Sequence, residues 1–143
     1  MKSVDKSVTN HDTPVAGTID RRRRVLFVDD EPLLTRLGEM FLTRLGYGVA
    51  TANCPVTALH MFLNESFDVV VTDLTMPQMS GVEFAREIHR YCPGFPVILT
   101  TAFHHRLEGQ NPTDLGFSAL LLKPYNLDAL DSALQHAWLQ ESV

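Results

Sequence analysis

Short apolar runs alternate along the chain with stretches in which apolar side chains return every three or four positions. Val25 to Val28 reads as a strand, and Leu34, Leu37, Phe41 and Leu45 then recur at near-helical spacing. Gly46 follows where a left-handed helix stop is wanted, so Gly46 and Gly48 read as helix-stop chemistry and not as a nucleotide loop. Tyr47 to Thr51 is the second strand. Pro55 suits a helix's first turn, with Val56, Leu59 and Leu63 on one face, and Phe67 to Asp73 follows as the third strand, its three valines predicting burial on both faces. Gly81 to Tyr91 predicts a helix with Phe84, Ile88 and Tyr91 aligned; Pro93-Gly94 breaks it before the strand Pro96 to Thr101.

Gly109, Pro112 and Gly116 make His104 to Ser118 a region of short or irregular helix. Ala119 to Lys123 is a fifth strand, and Leu127, Leu130, Leu134 and Ala137 or Trp138 mark the inner face of a last helix. Five strands and about five helices in alternation predict an α/β domain: a doubly wound, five-stranded parallel sheet with helices on both faces, since parallel crossovers are right-handed and require a helix.

The chain of 143 residues, 45% hydrophobic, has enough apolar material for one proper core and too little length for two. Residues 1–20 are polar and aperiodic, which predicts a disordered leader over 1–23 and a folded domain over 24–143. Neither the leader nor any later stretch has the apolar run of a signal peptide or membrane span, so the expectation is a cytoplasmic protein. Cys54 and Cys92 have no zinc spacing and read as reduced thiols. Through residue 24, six basic side chains face three acidic ones, a net +3; the total of −5 leaves −8 on the rest. An acidic body argues against DNA binding by the folded part, and Arg21–Arg24 reads as a solvated flank before the first strand.

In a doubly wound sheet, ligands bind beyond the carboxyl ends of the strands. Strand one ends in Asp29-Asp30-Glu31, strand three in Asp73, strand four in Thr100-Thr101 and strand five in Lys123-Pro124. Capping explains each alone but not the combination. Converging carboxylates repel unless a cation joins them, and hard oxygen donors select Mg²⁺ or Mn²⁺. A carboxylate attacking phosphorus needs nearby positive charge, which Mg²⁺ and Lys123 would supply. The metal would be held by Asp29, Asp30 and Asp73 with the backbone carbonyl near Thr75, and Thr101 would donate to a phosphoryl oxygen. His104 and His105 are adjacent, without i, i+4 spacing, and read as a plain loop pair.

The motifs Val-Leu-Phe-Val-Asp-Asp-Glu-Pro (25–32), Asp-Val-Val-Val-Thr-Asp-Leu-Thr-Met-Pro-Gln-Met-Ser-Gly (68–81), Pro-Val-Ile-Leu-Thr-Thr-Ala (96–102) and Leu-Leu-Lys-Pro-Tyr (121–125) carry a resemblance. Over residues 24 to 140 the chain resembles the receiver domain of two-component response regulators, chemotaxis regulators among them. The resemblance implies a flavodoxin-like fold and a phosphoprotein rather than an enzyme with an external substrate. It implies that Asp73 accepts the phosphoryl group of a sensor histidine kinase or histidine phosphotransfer protein. Asp29 and Asp30 would hold the metal, Lys123 would pair with the acids, and Thr101 would be the switch hydroxyl. A cis Lys123-Pro124 bond is expected. Met76-Pro77 and Gly81 match the loop and helix start beside the phosphorylated residue, and Thr75 and Phe103 would shape water access.

One departure is Leu120, where many relatives carry an aromatic that swings inward on activation. With the last helix ending near Gln140, the expectation is a free-standing receiver acting on a downstream protein target or in a phosphorelay. Thr75 stands where an aspartyl phosphatase would keep a second carboxylate, which disfavours that rival. The intact set of acids, hydroxyl and lysine disfavours a phosphorylation-free scaffold.

Overall fold

A computed structural model of the chain describes residues 22–102, 107 and 109–141. The elements run β1 (Arg24–Val28), α1 (Pro32–Arg44), β2 (Gly48–Ala52), α2 (Pro55–Asn64), β3 (Val69–Asp73), α3 (Gly81–Tyr91), β4 (Val97–Thr101), a 3-10 turn (Pro112–Leu115), β5 (Ala119–Leu122) and α4 (Leu127–Glu141). The strands form one sheet in the order β2-β1-β3-β4-β5, and every pairing is parallel. This is the flavodoxin-like, doubly wound fold. Four α-helices stand among the described residues where about five were expected. Between β4 and β5, among the described residues, a 3-10 turn at Pro112–Leu115 is closed by Gly116 in the left-handed region.

Central strands β3 and β4 are buried at every position, as a sheet covered on both faces requires. Alternation along each strand then splits the core in two. Leu26, Val28, Val70, Val97 and Leu99 face α2 and α3 through Ala58, Phe84, Ala85 and Ile88. Val25, Phe27, Val69, Val71, Ile98 and Leu121 face α1 and α4 through Leu42, Leu130, Leu134 and Ala137. Each fully buried Val or Leu contributes about 1.5–3 kcal/mol by leaving water.

Several helix faces differ from the pattern reading. In α1 the sheet-facing positions are Thr35, Gly38 and Leu42, whereas Leu37 is exposed. Helix α2 buries Pro55 and Ala58 and leaves Val56 and Leu63 exposed, and Tyr91 in α3 also faces outward. Small residues take these places because the helices lie close against the sheet. Gly46, at φ 96°, sits just past the C-cap of α1 as expected.

Arg23 is exposed and Arg24 partly so, as a flank would be, but both have partners in the fold. Arg24 opens β1, ion-pairs with Glu65 at 3.0 Å, and lays its guanidinium 4.7 Å over the Phe67 ring. Its backbone N–H donates to Asp68 at 2.7 Å. Arg23 lies 3.9 Å over Trp138, whose indole N–H donates to the Tyr47 hydroxyl. The two arginines thus fasten the start of β1 to opposite faces of the sheet. Arg21, most of the leader, Phe103, His104 and His105 lie outside the described residues.

Candidate functional site

Because all five strands are parallel, their carboxyl ends share one rim. Asp29 follows the last residue of β1, Asp73 and Thr101 end β3 and β4, and Lys123 follows β5. Asp29 and Asp73 are buried, and Asp30 is partly exposed at the mouth. Each of the three carboxylates offers an oxygen, and these oxygens lie within 4.8 Å of one another. Lys123 Nζ stands between two of them, 3.0 Å from Asp29 Oδ2 and 3.0 Å from Asp73 Oδ1. The Lys123-Pro124 bond is cis, and the Lys123 N–H donates to the Thr101 carbonyl at 2.9 Å.

Asp29 is not the N-cap residue of α1, but its Oδ1 accepts the N–H of the N-cap residue Glu31 at 3.0 Å, and Glu31 itself makes no side-chain cap bond.

Asp73 is held by its strand and by the start of α3. It pairs with Thr100 in register, and the Leu74 N–H donates to the Thr100 carbonyl at 3.0 Å. The Thr100 hydroxyl turns within the sheet toward the Thr72 carbonyl, 3.4 Å away, while Thr101 is the strand's last residue, buried at the rim. The Gly81 N–H donates to the Leu74 carbonyl at 2.7 Å, so close that a Cβ at position 81 would collide with the Asp73 carbonyl oxygen. Glycine is required there. Ser80 and Glu83 cap α3 reciprocally, a capping box that fixes the loop's far end. Thr75 is exposed, two residues past Asp73.

Burial raises the Asp73 carboxyl above its ordinary value, and the Asp29 charge adds to this against the opposing pull of Lys123 and the Leu74 N–H. For Lys123 burial is the largest single influence and lowers the pKa. The hydrogen bonds and charges of Asp29 and Asp73 together outweigh it, so the ammonium titrates above its usual range. Tyr125, packed edge-on against Phe41 of α1, is pushed up by burial and by the same two carboxylates, and its phenol stays neutral.

Of the rim residues named from the sequence, Asp29, Asp30, Asp73 and Lys123 converge, and Thr101 stands at the end of β4, whereas the Thr100 hydroxyl turns into the sheet. One residue of the site went unmarked. Asn53 directly follows β2, the strand whose end the rim argument left blank, and its amide reaches the Asp29 carbonyl at 2.9 Å. Its position past a strand's carboxyl end was the available signal. Leu120 is half-buried against the cluster that includes Leu107 and Phe117.

A parallel five-stranded sheet with three acids, a threonine and a lysine at its carboxyl rim defines a class, and comparison with known proteins agrees. The family description "Response regulator receiver domain" matches residues 25–135, and the chain belongs to that family. It is a receiver domain and not a conventional enzyme. Over 119 residues it is 37% identical to the transcriptional regulatory protein GlrR of Escherichia coli (strain K12), covering 83% of this chain and 27% of that one. Over 134 residues it is 33% identical to the sensor histidine kinase RcsC of the same strain, covering 94% and 13%. The chain thus spans about a quarter or less of the length of these curated relatives.

Among solved structures, a response regulator receiver domain protein from Clostridium thermocellum matches with TM-score 0.78 and 29% identity, covering 84% of this chain and 97% of that one. The response regulator TrrA from Thermotoga maritima, in complex with Mg(2+)-BeF, matches with TM-score 0.72 and 32% identity, covering 80% and 98%. Among the described residues, no helix is long and apolar enough to cross a membrane.

Proposed function

We propose that the chain is a signalling receiver in which Asp73 accepts a phosphoryl group from a histidine kinase or histidine phosphotransfer protein in a Mg²⁺-dependent reaction. The observation that carries this reading is the convergence of three carboxylates around one lysine, with Lys123 Nζ 3.0 Å from both buried acids. Three acidic oxygens within 4.8 Å make a hard, anionic donor set suited to a divalent cation. Asp29, Asp30 and Asp73 would hold Mg²⁺ together with the Thr75 backbone carbonyl, and Mn²⁺ fits the same donors. When bound, the cation neutralises charge on the acids and on the incoming phosphoryl oxygens.

An Asp73 carboxylate oxygen forms the new bond to phosphorus as the P–N bond of the donor phosphohistidine breaks. The imidazole leaves with the electron pair and takes up a proton. Lys123, kept protonated by its acidic neighbours, faces the developing charge, and the Thr101 hydroxyl donates to a phosphoryl oxygen. Burial disfavours a free charge on Asp73, so converting that carboxylate into an acyl phosphate changes the charge balance at the centre of the site. Output then passes to a downstream protein or to the next member of a phosphorelay.

Helix α1 starts at the mouth and presents Leu33 (79% exposed), Leu37 and Met40 (65% exposed) in one outward stripe, an apolar surface for a protein donor. The reading is tested by incubating the chain with acetyl phosphate, with Mg²⁺ or with chelator. The expected result is a Mg²⁺-dependent gain of about 80 Da, one phosphoryl unit. Sustained turnover of phosphate esters far beyond one equivalent per chain would mark a phosphatase instead.

A further inference from the structure

The β1–α1 loop, Asp29 to Glu31, carries two of the three acids and is held from within by one side-chain bond, the Glu31 N–H to Asp29 Oδ1 at 3.0 Å. Glu31 makes no side-chain cap bond, and Pro32 at the first turn has no N–H to give. A second restraint comes from Asn53, the residue just past β2. The Asn53 side-chain amide donates to the Asp29 carbonyl at 2.9 Å and to the Thr35 hydroxyl at 3.1 Å. Thr35 spends its own hydroxyl proton on the Pro32 carbonyl at 2.9 Å, so its oxygen is an acceptor toward Asn53.

The amide orientation follows from chemistry, since a backbone carbonyl only accepts and the nitrogen must face it. One NH₂ group therefore ties the end of β1 to the first turn of α1, across the loop that presents Asp29 and Asp30. The Asp29 N–H donates to the Ala52 carbonyl at 3.2 Å, which carries the β1–β2 ladder up to this tie.

We propose that Asn53 is a positioning residue for the cation site: it fixes where Asp29 and Asp30 point without itself being a ligand. The inference rests on the cation-binding reading above. Asn53 anchors the carbonyl of a residue whose carboxylate is committed on both oxygens, Oδ1 to the Glu31 N–H and Oδ2 to Lys123. A shift of the Asp29 backbone therefore moves the acid relative to Asp73. Partners one step removed from metal ligands commonly set affinity by about 10–100-fold when lost.

The test is Mn²⁺ binding to the full chain, followed by the electron paramagnetic resonance signal of free Mn²⁺, in the native protein and in Asn53→Ala, Asn53→Ser and Thr57→Ala. Circular dichroism checks that each variant is folded at the assay temperature. Asn53→Ala should weaken Mn²⁺ about tenfold, the low end of that range for a partly exposed tie. Asn53→Ser, which keeps one donor, should fall between it and the native chain. Thr57→Ala, which breaks the neighbouring contact to Cys54 only, should bind as the native chain does. Unchanged affinity in Asn53→Ala, or equal weakening in all three variants, overturns the positioning role while leaving the cation site standing. No Mn²⁺ binding by the native chain overturns both.

Discussion

Replacing Lys123 by methionine keeps the apolar stem and removes the one charge between Asp29 and Asp73. Nζ stands 3.0 Å from an oxygen of each acid, and the three side chains are 20%, 2% and 11% exposed. At an effective dielectric of about 20, each contact is worth roughly 5 kcal/mol gross. Burying the ammonium offsets much of this; burial is the largest single influence on its titration and acts against the charged form. The lasting cost of Lys123→Met is two buried carboxylates facing each other unpaired. Removing one partner of a buried pair costs about 3–5 kcal/mol, and the partial exposure of Lys123 favours the low end, about 3.

Urea unfolding in chelator at neutral pH, followed by circular dichroism, should show a midpoint about 1.5 M below that of the native chain for an m-value of about 2 kcal/mol/M. Excess Mg²⁺ should stabilise the variant more than the native chain, because a cation on the acids replaces the missing charge. A midpoint within about 0.25 M of native in chelator, or no response to Mg²⁺, would refute the account of the acid cluster. Because the Lys123 pKa is raised by folding, the pair's contribution is full below 10.5, its ordinary value, and is lost as pH rises through the folded value.

Gly81→Ala should destabilise the chain by about 2–3 kcal/mol in the same unfolding assay, since its methyl would strike the Asp73 carbonyl; a change under about 0.5 kcal/mol contradicts the close approach. Asp73 titrates above 3.8 in the metal-free fold, chiefly through burial, so its penalty on stability is full above the folded pKa and is relieved as pH falls through it. A ¹³C NMR titration of the Asp73 carboxyl giving a pKa at or below 3.8 speaks against this. The double variant Leu33→Ser, Met40→Ser should slow phosphotransfer from a histidine phosphotransfer protein about tenfold, roughly 1.4 kcal/mol of docking energy, with acetyl phosphate unaffected. Equal slowing with both donors would place the stripe outside the docking surface.

The fold and most of the rim were legible because both depend on repeating patterns. Strand and helix alternation leaves few topologies, and a parallel sheet sends Asp29, Asp73, Thr101 and Lys123 to one edge by construction. Helix faces were harder to read. Apolarity marked Leu37, Val56, Leu63 and Tyr91 as inner, but close packing on the sheet selects for small volume, and Thr35, Gly38 and Ala58 occupy those places. Arg23 and Arg24 look solvated as a charge run. Their partners Trp138, Glu65 and Phe67 are distant in sequence and become neighbours only through the tertiary fold. Asn53 belongs to the same group: its partners, Asp29 and Thr35, are residues that β1–β2 pairing brings beside it.

The central claim is that Asp73 is the residue that takes the phosphoryl group. Intact-mass measurement of the native chain and Asp73→Asn after incubation with acetyl phosphate and Mg²⁺ tests it most directly. The native chain should gain a single increment of about 80 Da and Asp73→Asn none. An increment of equal size in Asp73→Asn, or no increment in the native chain, would contradict the account.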